Sequence, residues 1–175
     1  RGLPLPPRLL FVVNESYFFM THRLALAKAA QAAGYEVHVA APDDHVWAPE
    51  NFTVDEIRQA GFEFHVIPLS RRGKNPLQDL ALLISLVRLF RKLQPDLLHL
   101  LTIKPIIYGG IAARLLGVKA IVSTITGLGQ VFIAKGKLSL VLKGIVIALY
   151  RLATGHRNAR VIVQNWSDRN IVVST

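Results

Sequence analysis

The segment Pro95–Gly129, PDLLHLLTIKPIIYGGIAARLLGVKAIVSTITGLG, constrains the fold of this chain more than any other. Two apolar runs, Leu97–Leu101 and Ala120–Ser123, flank a stretch of helical composition, Pro105–Leu116. Continuous apolar runs are how buried parallel strands read, because helices cover both faces of the sheet they form. Each run stops at a cluster of polar and glycine residues. Thr102-Ile103-Lys104-Pro105 follows the first, and Thr124-Ile125-Thr126-Gly127-Leu128-Gly129 follows the second. In open α/β sheets ligands bind just outside the carboxyl ends of such strands. The segment therefore predicts both an architecture and the edge of it that works.

The rest of the chain extends the pattern. Further strands are predicted at Leu9–Val13, Tyr35–Ala41, Phe62–Leu69 and Arg160–Gln164. Between them, Leu24–Ala33 is rich in helix formers, with Ser16 or Thr21 placed as a cap and Gly34 as the stop. Thr53–Ala60 reads as a short helix, with Thr53 as cap, Glu56 placed for a capping box and Gly61 as terminator. Asn75-Pro76 opens a helix to Leu93, with Asn as cap and Pro at the first helical position. In it Gln78, Ser85 and Lys92 recur every seven residues beside Arg88, predicting one solvent stripe and a broad apolar face. A last helix is predicted at Leu138–Thr154. The alternation βαβαβαβαβαβ predicts an α/β fold, a doubly wound, Rossmann-like parallel sheet of about six strands in one domain spanning residues 1–175.

Two strands depart from the continuous apolar rule. Tyr35-Glu36-Val37-His38-Val39 and Phe62-Glu63-Phe64-His65-Val66 both alternate, as strands with one wet face do. They are expected side by side toward one sheet edge, with Glu36/His38 and Glu63/His65 as half-exposed neighbours rather than a metal site.

Composition narrows the function. The 175 residues contain no cysteine, which excludes disulfides and thiolate metal sites. The net charge of +10 is unevenly placed. Residues 1–96 carry 11 basic and 10 acidic side chains, and residues 97–175 carry 10 basic ones and a single acid, Asp168. The second part thus holds +9, a field that attracts phosphates, acidic lipid or nucleic acid. The chain begins RGLPLPP, which has no apolar signal core and reads as a fragment boundary or a processed end. The apolar stretch Leu138–Leu149 is interrupted by Lys143 and is short of the roughly 20 residues that span a bilayer; it is expected to pack in the core or touch a membrane surface.

The motif search excludes several chemistries. No glycine occurs between Gly2 and Gly34, so the first strand's exit, Asn14-Glu15-Ser16-Tyr17, lacks the glycine-rich turn of dinucleotide binders. No phosphate-binding P-loop, G-x-S-x-G or H-E-x-x-H is present. Asp43-Asp44 reads as a turn rather than a metal site. Ser70-Arg71-Arg72-Gly73-Lys74-Asn75 places three cations ahead of a helix N-terminus, where a phosphate or pyrophosphate is well received, although a solvated loop has the same composition. His99 lies inside an apolar run and reads as a hydrogen-bonded core residue. Glu15 and His22 near the first strand's exit are the candidate general bases. Asn14, Ser16, Thr102, Lys104, Thr126 and the backbone of Gly127 and Gly129 are candidates for holding a sugar or phosphate.

With these residues assembled, the chain resembles the N-terminal domain of family 4 glycosyltransferases of the GT-B fold. The matching blocks are LLFVVNESYFFMTHRLALAKAAQAAGYEVHVAAP, GFEFHVIPLSRRGKNPLQDL, PDLLHLLTIKPIIYGG and STITGLGQVF, over about residues 8–165. Within the family it looks closest to bacterial enzymes of polysaccharide or lipid-linked oligosaccharide synthesis. The resemblance implies the acceptor-binding half of a retaining transferase that uses a nucleotide-sugar donor, without metal or other cofactor. It puts Asn14, Glu15, Ser16, Arg71, Arg72, Lys74, Thr102, Lys104, Thr126, Gly127 and Gly129 on one wall of the interdomain cleft. It implies an undecaprenyl-diphosphate-linked saccharide as acceptor, a C-terminal donor-binding domain as partner, and a cytoplasmic location peripheral to the inner face of the membrane, on its anionic surface.

The chain departs from the family's pattern in ways that bear on catalysis. Many relatives have a glycine-rich first loop where this chain has Asn14-Glu15-Ser16. A second histidine two residues after His99 is replaced by Leu101, and the histidine before the glycine after the fifth strand by Thr126. The family's paired glutamates of the donor site, E-x7-E, are absent: no glutamate follows Glu63. The isolated chain is therefore expected to be inactive. The rival readings are a stand-alone subunit that recruits a separate donor-binding chain, and a basic nucleic-acid-binding domain. The latter lacks interleaved aromatics and a recognition motif, and no nucleic-acid partner is expected.

Overall fold

Six parallel strands form one sheet in the order β3-β2-β1-β4-β5-β6. In the computed structural model of the protein the described residues are 5–43, 48–50, 52–70, 75–126, 137–155, 157–164, 166 and 169. The strands are β1 (Arg8–Val12), β2 (Glu36–Ala41), β3 (Glu63–Val66), β4 (Leu97–Leu101), β5 (Ala120–Ile125) and β6 (Ala159–Val163). The helices are α1 (Ser16–His22), α2 (Leu24–Ala32), α3 (Asp55–Gln59), α4 (Pro76–Leu93), α5 (Gly110–Leu116) and α6 (Lys137–Thr154); a π-helical turn, Pro105–Gly109, runs directly into α5. The chain winds outward from β1 through β2 to β3, then returns to β4 on the other side of β1. This reversal opens a crevice at the carboxyl ends of β1 and β4, where doubly wound sheets bind ligands.

Strand alternation sends the apolar side chains to two cores. Leu10, Val12, Ala40, Leu98, Leu100 and Ile121 face α4 and the π turn, meeting Leu82, Leu86, Phe90 and Ile106. Leu9, Phe11, Val13, Val37, Val39, Ala41 and Leu101 face the other way, onto Phe19, Ala27, Ile57 and Phe62. Both faces are covered, which is why β1 and β4 read as unbroken apolar runs. The turn after β4 comes very close to its neighbours. A Cβ on Gly109 would lie 2.8 Å from Leu100 Cδ2, and one on Gly110 would lie 2.7 Å from Ala153 Cβ and 2.8 Å from its carbonyl oxygen. Two glycines in succession let the π turn sit on the sheet and α5 sit on the end of α6.

Helix ends follow local chemistry in most places. Asn75 Oδ1 accepts the Leu77 N–H at 3.0 Å, and Pro76 is the first residue of α4. Gly34 and Gly61, at φ of 91° and 88°, take the left-handed conformation that closes α2 and α3. Glu56 accepts the Thr53 N–H at 3.3 Å, the reverse half of a capping box, and α3 itself starts only at Asp55, after Val54.

Some expectations are corrected. Neither Ser16 nor Thr21 is a cap. Ser16 is the first, buried residue of α1 after Glu15, whose side chain makes no capping bond, and Thr21 lies inside α1 and donates back to the Tyr17 carbonyl at 3.0 Å. The predicted single helix from Leu24 is preceded by α1, and Arg23 forms the break between the two. The third strand is shorter than Phe62–Leu69, since Pro68 has no N–H to continue a ladder. The wet-face reading of β2 also fails: His38 is only 4% exposed. Arg8 Nε donates to Glu36 at 3.0 Å, Glu36 Oε1 lies 3.2 Å from His38 Nε2 outside hydrogen-bond geometry, and His38 Nδ1 lies 3.2 Å from His65 Nε2. The alternation of β2 and β3 thus encodes a polar chain that runs from Arg8 on β1 across β2 to the edge strand β3, and β2 and β3 are indeed adjacent at one side of the sheet.

Candidate functional site

The carboxyl edge is where backbone and side chains are least relaxed. Thr102, the residue after β4, has φ of 72°. A β-branched residue in the left-handed region is a true outlier, and such strain persists only where the surroundings hold it. Here they do: the Thr102 N–H donates to the Thr124 carbonyl at 3.3 Å, and the Thr102 carbonyl accepts from the Ile106 N–H at 3.1 Å, tying it to both β5 and the π turn. Its hydroxyl Oγ1 is buried and has no hydrogen-bond partner in the protein. A buried, unpaired hydroxyl costs stability unless something else satisfies it. π-helical turns are themselves frequent at functional sites.

Beside Thr102, Lys104 Nζ donates to Asp79 Oδ1 at 2.7 Å. Asp79 lies in the first turn of α4, so this half-buried pair pins the start of α4 to the exit of β4. Tyr108, on the π turn, is held protonated: burial and then its hydrogen bond to Asp79 push its hydroxyl up to about 12. Lys104 is thus a shared cation, bonded to a carboxylate, rather than a bare phosphate ligand. A hollow of about 350 Å³ opens nearby at the ends of β2 and β3, bordered by Asp43, Ser70 and Gln78.

Just beneath the edge, His99 Nε2 and Thr124 Oγ1 are 2.8 Å apart. His99 is 7% exposed, and its ring meets Phe11 at 5.1 Å between centroids. Burial, and then the neighbouring Arg23 charge, lower its pKa to about 4. His99 is a neutral core residue, as its place in an apolar run predicts. Arg23 was not visible in the sequence as a site residue. Its guanidinium lies 5.8 Å over the Phe18 ring and donates through Nη1 to the His22 carbonyl at 3.0 Å, while its Nε is buried without a hydrogen-bond partner. The break in helical pattern at His22-Arg23 was the one signal that could have found it.

The two candidate bases are set apart. Glu15 is 5% exposed at the exit of β1, beside the fully buried Ser16. His22 is exposed at the far end of α1, about 9 Å on at the helical rise, with Nδ1 2.6 Å from Thr21 Oγ1 and its ring stacked on Phe18. Asn14 and Thr126 are half-buried at the ends of β1 and β5. The structure therefore gathers Asn14, Glu15, Ser16, Thr102, Lys104 and Thr126 along the carboxyl edge. Arg71, Arg72, Lys74, Asp44, Gly127 and Gly129 lie outside the described residues. Among the described residues no three His, Asp or Glu side chains group as metal ligands would, and no helix is long and apolar enough to cross a membrane.

A second cavity, about 530 Å³, opens at the opposite edge between Phe90, Gln94, Asp96, Leu116 and Lys119. Its charges answer one another: Lys119 Nζ donates to Asp96 Oδ1 at 2.6 Å, and the Arg8 N–H donates to Asp96 Oδ2 at 2.9 Å. It is larger than the hollow at the carboxyl edge but chemically quieter.

The model of the Glycosyl transferase 4-like family matches residues 8–165. The chain belongs to that family. Solved structures agree on the fold. MurG of Acinetobacter baumannii superposes with a TM-score of 0.53 at 20% identity, over 80% of this chain and 39% of MurG. The glycosyltransferase SsfS6 of Streptomyces sp. SF2575 gives 0.52 at 19% identity, over 85% of this chain and 45% of its own. A UDP-N-acetylglucosamine 2-epimerase gives 0.65 at 12% identity, over 97% and 45%. The sheet is therefore that of a GT-B half-domain, a scaffold that transferases share with epimerases, and the chain spans less than half the length of these structures. Comparison with curated protein sequences finds no match.

Proposed function

We propose that this chain is the N-terminal, acceptor-binding half of a retaining glycosyltransferase. In this reading the complete enzyme moves a sugar from a nucleotide-sugar onto a saccharide carried on a lipid diphosphate, undecaprenyl diphosphate being the favoured carrier. A C-terminal domain holds the donor, and no metal or other cofactor takes part. The observation that carries the reading is the strained Thr102 with its buried, unpaired hydroxyl, set at the crevice of a family 4-like sheet. A hydroxyl fixed by strain is preorganised to bond a sugar hydroxyl or a phosphate oxygen as the ligand enters.

The other residues of the edge have consistent roles. Lys104, held by Asp79, lends positive potential without being free to wander. The buried Glu15 at the exit of β1 is placed to accept a proton from an acceptor hydroxyl or to orient it. Arg71, Arg72 and Lys74 precede the cap of α4 in the sequence and supply charge for a diphosphate. The field of the basic second part of the chain favours the same anionic ligand, and an anionic membrane surface at the cytoplasmic face fits it as well.

The test is a pair of binding titrations and a turnover assay. The 175-residue chain is expected to bind a short-chain prenyl-diphosphate saccharide, to bind a nucleotide-sugar poorly, and to turn over only when a donor domain is supplied. Thr102→Val is expected to weaken acceptor binding about tenfold, the worth of one hydrogen bond to a charged group. Tight nucleotide-sugar binding with no acceptor binding, or robust transfer by the isolated chain, would overturn the assignment.

A further inference from the structure

We infer that Arg23 is a binding residue for the diphosphate of a substrate, set at the break between α1 and α2. Arg23 ends one helix and starts the next. Its N–H donates to the Phe19 carbonyl at 2.8 Å, and its carbonyl accepts the Ala27 N–H at 2.9 Å. The backbone that carries the side chain is thereby held on both sides. The guanidinium stands over the Phe18 ring, 5.8 Å from its centroid.

Which of its nitrogens are bonded decides what the side chain can still do. Nη1, on the Cδ side of the guanidinium, donates to the His22 carbonyl at 3.0 Å. Nε is buried and unpaired, and Nη2 makes no hydrogen bond to the described residues. Nε–H and one N–H of Nη2 point the same way, and this edge is the fork that closes two parallel bonds on a phosphate or carboxylate. The protein thus bonds the one nitrogen that the fork does not need. Nε is covered in this conformation, so an oxygen meets Nη2 first and the second bond forms as the guanidinium turns off Phe18.

No carboxylate of the protein answers this cation. Burial alone moves the pKa of Arg23, downward, with no acid acting against it. Other cations are treated differently: Arg8, Arg58, Lys104 and Lys119 meet Glu36, Asp55, Asp79 and Asp96. A part-buried charge without a counter-charge is costly, and a ligand that brings the anion removes the cost. Arg23 also lies close enough to His99, just beneath the carboxyl edge, to lower that residue. Naming phosphate rather than carboxylate rests on the proposed glycosyl transfer. Both substrates of that reaction carry a diphosphate, one on a lipid and one on a nucleoside, and the fork fits either.

Titrations with geranyl diphosphate and with uridine diphosphate test the residue and separate the two sources. The wild-type chain is expected to bind at least one of them, and Arg23→Gln to bind it about tenfold more weakly. Arg23→Lys should stay near the glutamine variant, because lysine keeps the charge and loses the fork. Weakening toward geranyl diphosphate assigns Arg23 to the lipid-linked acceptor. Weakening toward uridine diphosphate alone assigns it to the donor, which keeps Arg23 as a diphosphate ligand while the acceptor-side reading fails. The ring nitrogen resonances of His99 should move when the wild-type chain is saturated and stay in place in Arg23→Gln. Urea unfolding of that variant should match or exceed wild type, since no paired Nε is lost. Wild-type affinity of Arg23→Gln for both probes would overturn the inference, as would failure of the wild-type chain to bind either. So would a large loss of stability in the variant, because Arg23 would then serve the fold.

Discussion

The two ends of the sheet handle polar groups in opposite ways. At the amino-terminal edge the charges nearest the strand ends meet partners: Arg8 meets Glu36 and the Leu93 carbonyl, and Asp96 meets Lys119 and the Arg8 N–H. These contacts hold the carboxyls of Glu36 and Asp96 below their usual range, chiefly through the hydrogen bonds from Arg8 and Lys119. At the carboxyl-terminal edge the opposite holds: Thr102 is strained and its hydroxyl unanswered, and the Arg23 Nε is buried without a partner. One end stabilises the sheet and the other carries cost, and it is at the second that the proposed acceptor site is set.

The largest expected effect concerns the buried histidine under the carboxyl edge. His99 has its pKa lowered from 6.5 to about 4, so the unfolded chain takes up this proton where the folded one does not. The stability linked to it is whole above pH 6.5 and is lost as pH falls toward 4, amounting to about 3 kcal/mol. Urea unfolding over this range should show wild type losing about that much more than His99→Leu. Parallel curves for the two proteins would mean that the edge is not built over a neutral imidazole. His38 and His65, also lowered by burial, contribute in the same direction in both proteins.

Asp96→Ala comes next. Removing the carboxylate that joins β1, β4 and Lys119 should cost about 2 kcal/mol of unfolding free energy, with acceptor binding unchanged. A loss of binding without loss of stability would reverse the roles assigned to the two edges. Thr102→Gly should do the reverse. Glycine accepts the left-handed backbone and removes the orphan hydroxyl, so denaturant unfolding should show stability unchanged or raised by about 1 kcal/mol, while the acceptor is bound more weakly. Destabilisation by this change would show that the strain is not where the backbone angles place it. The smallest effect is expected on α4. The Leu77→Ser, Leu80→Ser and Ile84→Ser variant should unfold within about 0.5 kcal/mol of wild type, because these side chains are 74%, 52% and 42% exposed.

How legible these edges were depended on how local their causes are. Apolar runs announced β1, β4 and β5 because burial on both faces leaves no room for alternation. The Asn75-Pro76 start of α4 and the glycine stops at Gly34 and Gly61 were readable because a cap acts within a few residues. The site was less legible. Thr102 was flagged by its position after a strand, but nothing in Thr-Ile-Lys-Pro announces a positive φ at a β-branched residue; the strain comes from its bonds to Thr124 and Ile106. The Lys104–Asp79–Tyr108 cluster joins Asp79 to a lysine 25 positions away and to a tyrosine farther still, a pairing that only the packing of α4 against the π turn creates. His38 misled in the same way. Its alternating neighbours suggested water, while the fold supplied Glu36 and His65.

The π turn has a further consequence. A π turn inside a helix is equivalent to one extra residue, and each residue of an α-helix turns the chain by about 100°. Deleting one residue from Pro105–Gly109 would therefore leave a regular helix whose whole downstream part is rotated by about a quarter-turn or more. Gly109 would no longer face Leu100, nor Gly110 face Ala153, and bulkier side chains would arrive where only hydrogen atoms fit. The single surplus residue after β4 acts as a rotational key, setting which side of α5 meets the sheet and which meets α6.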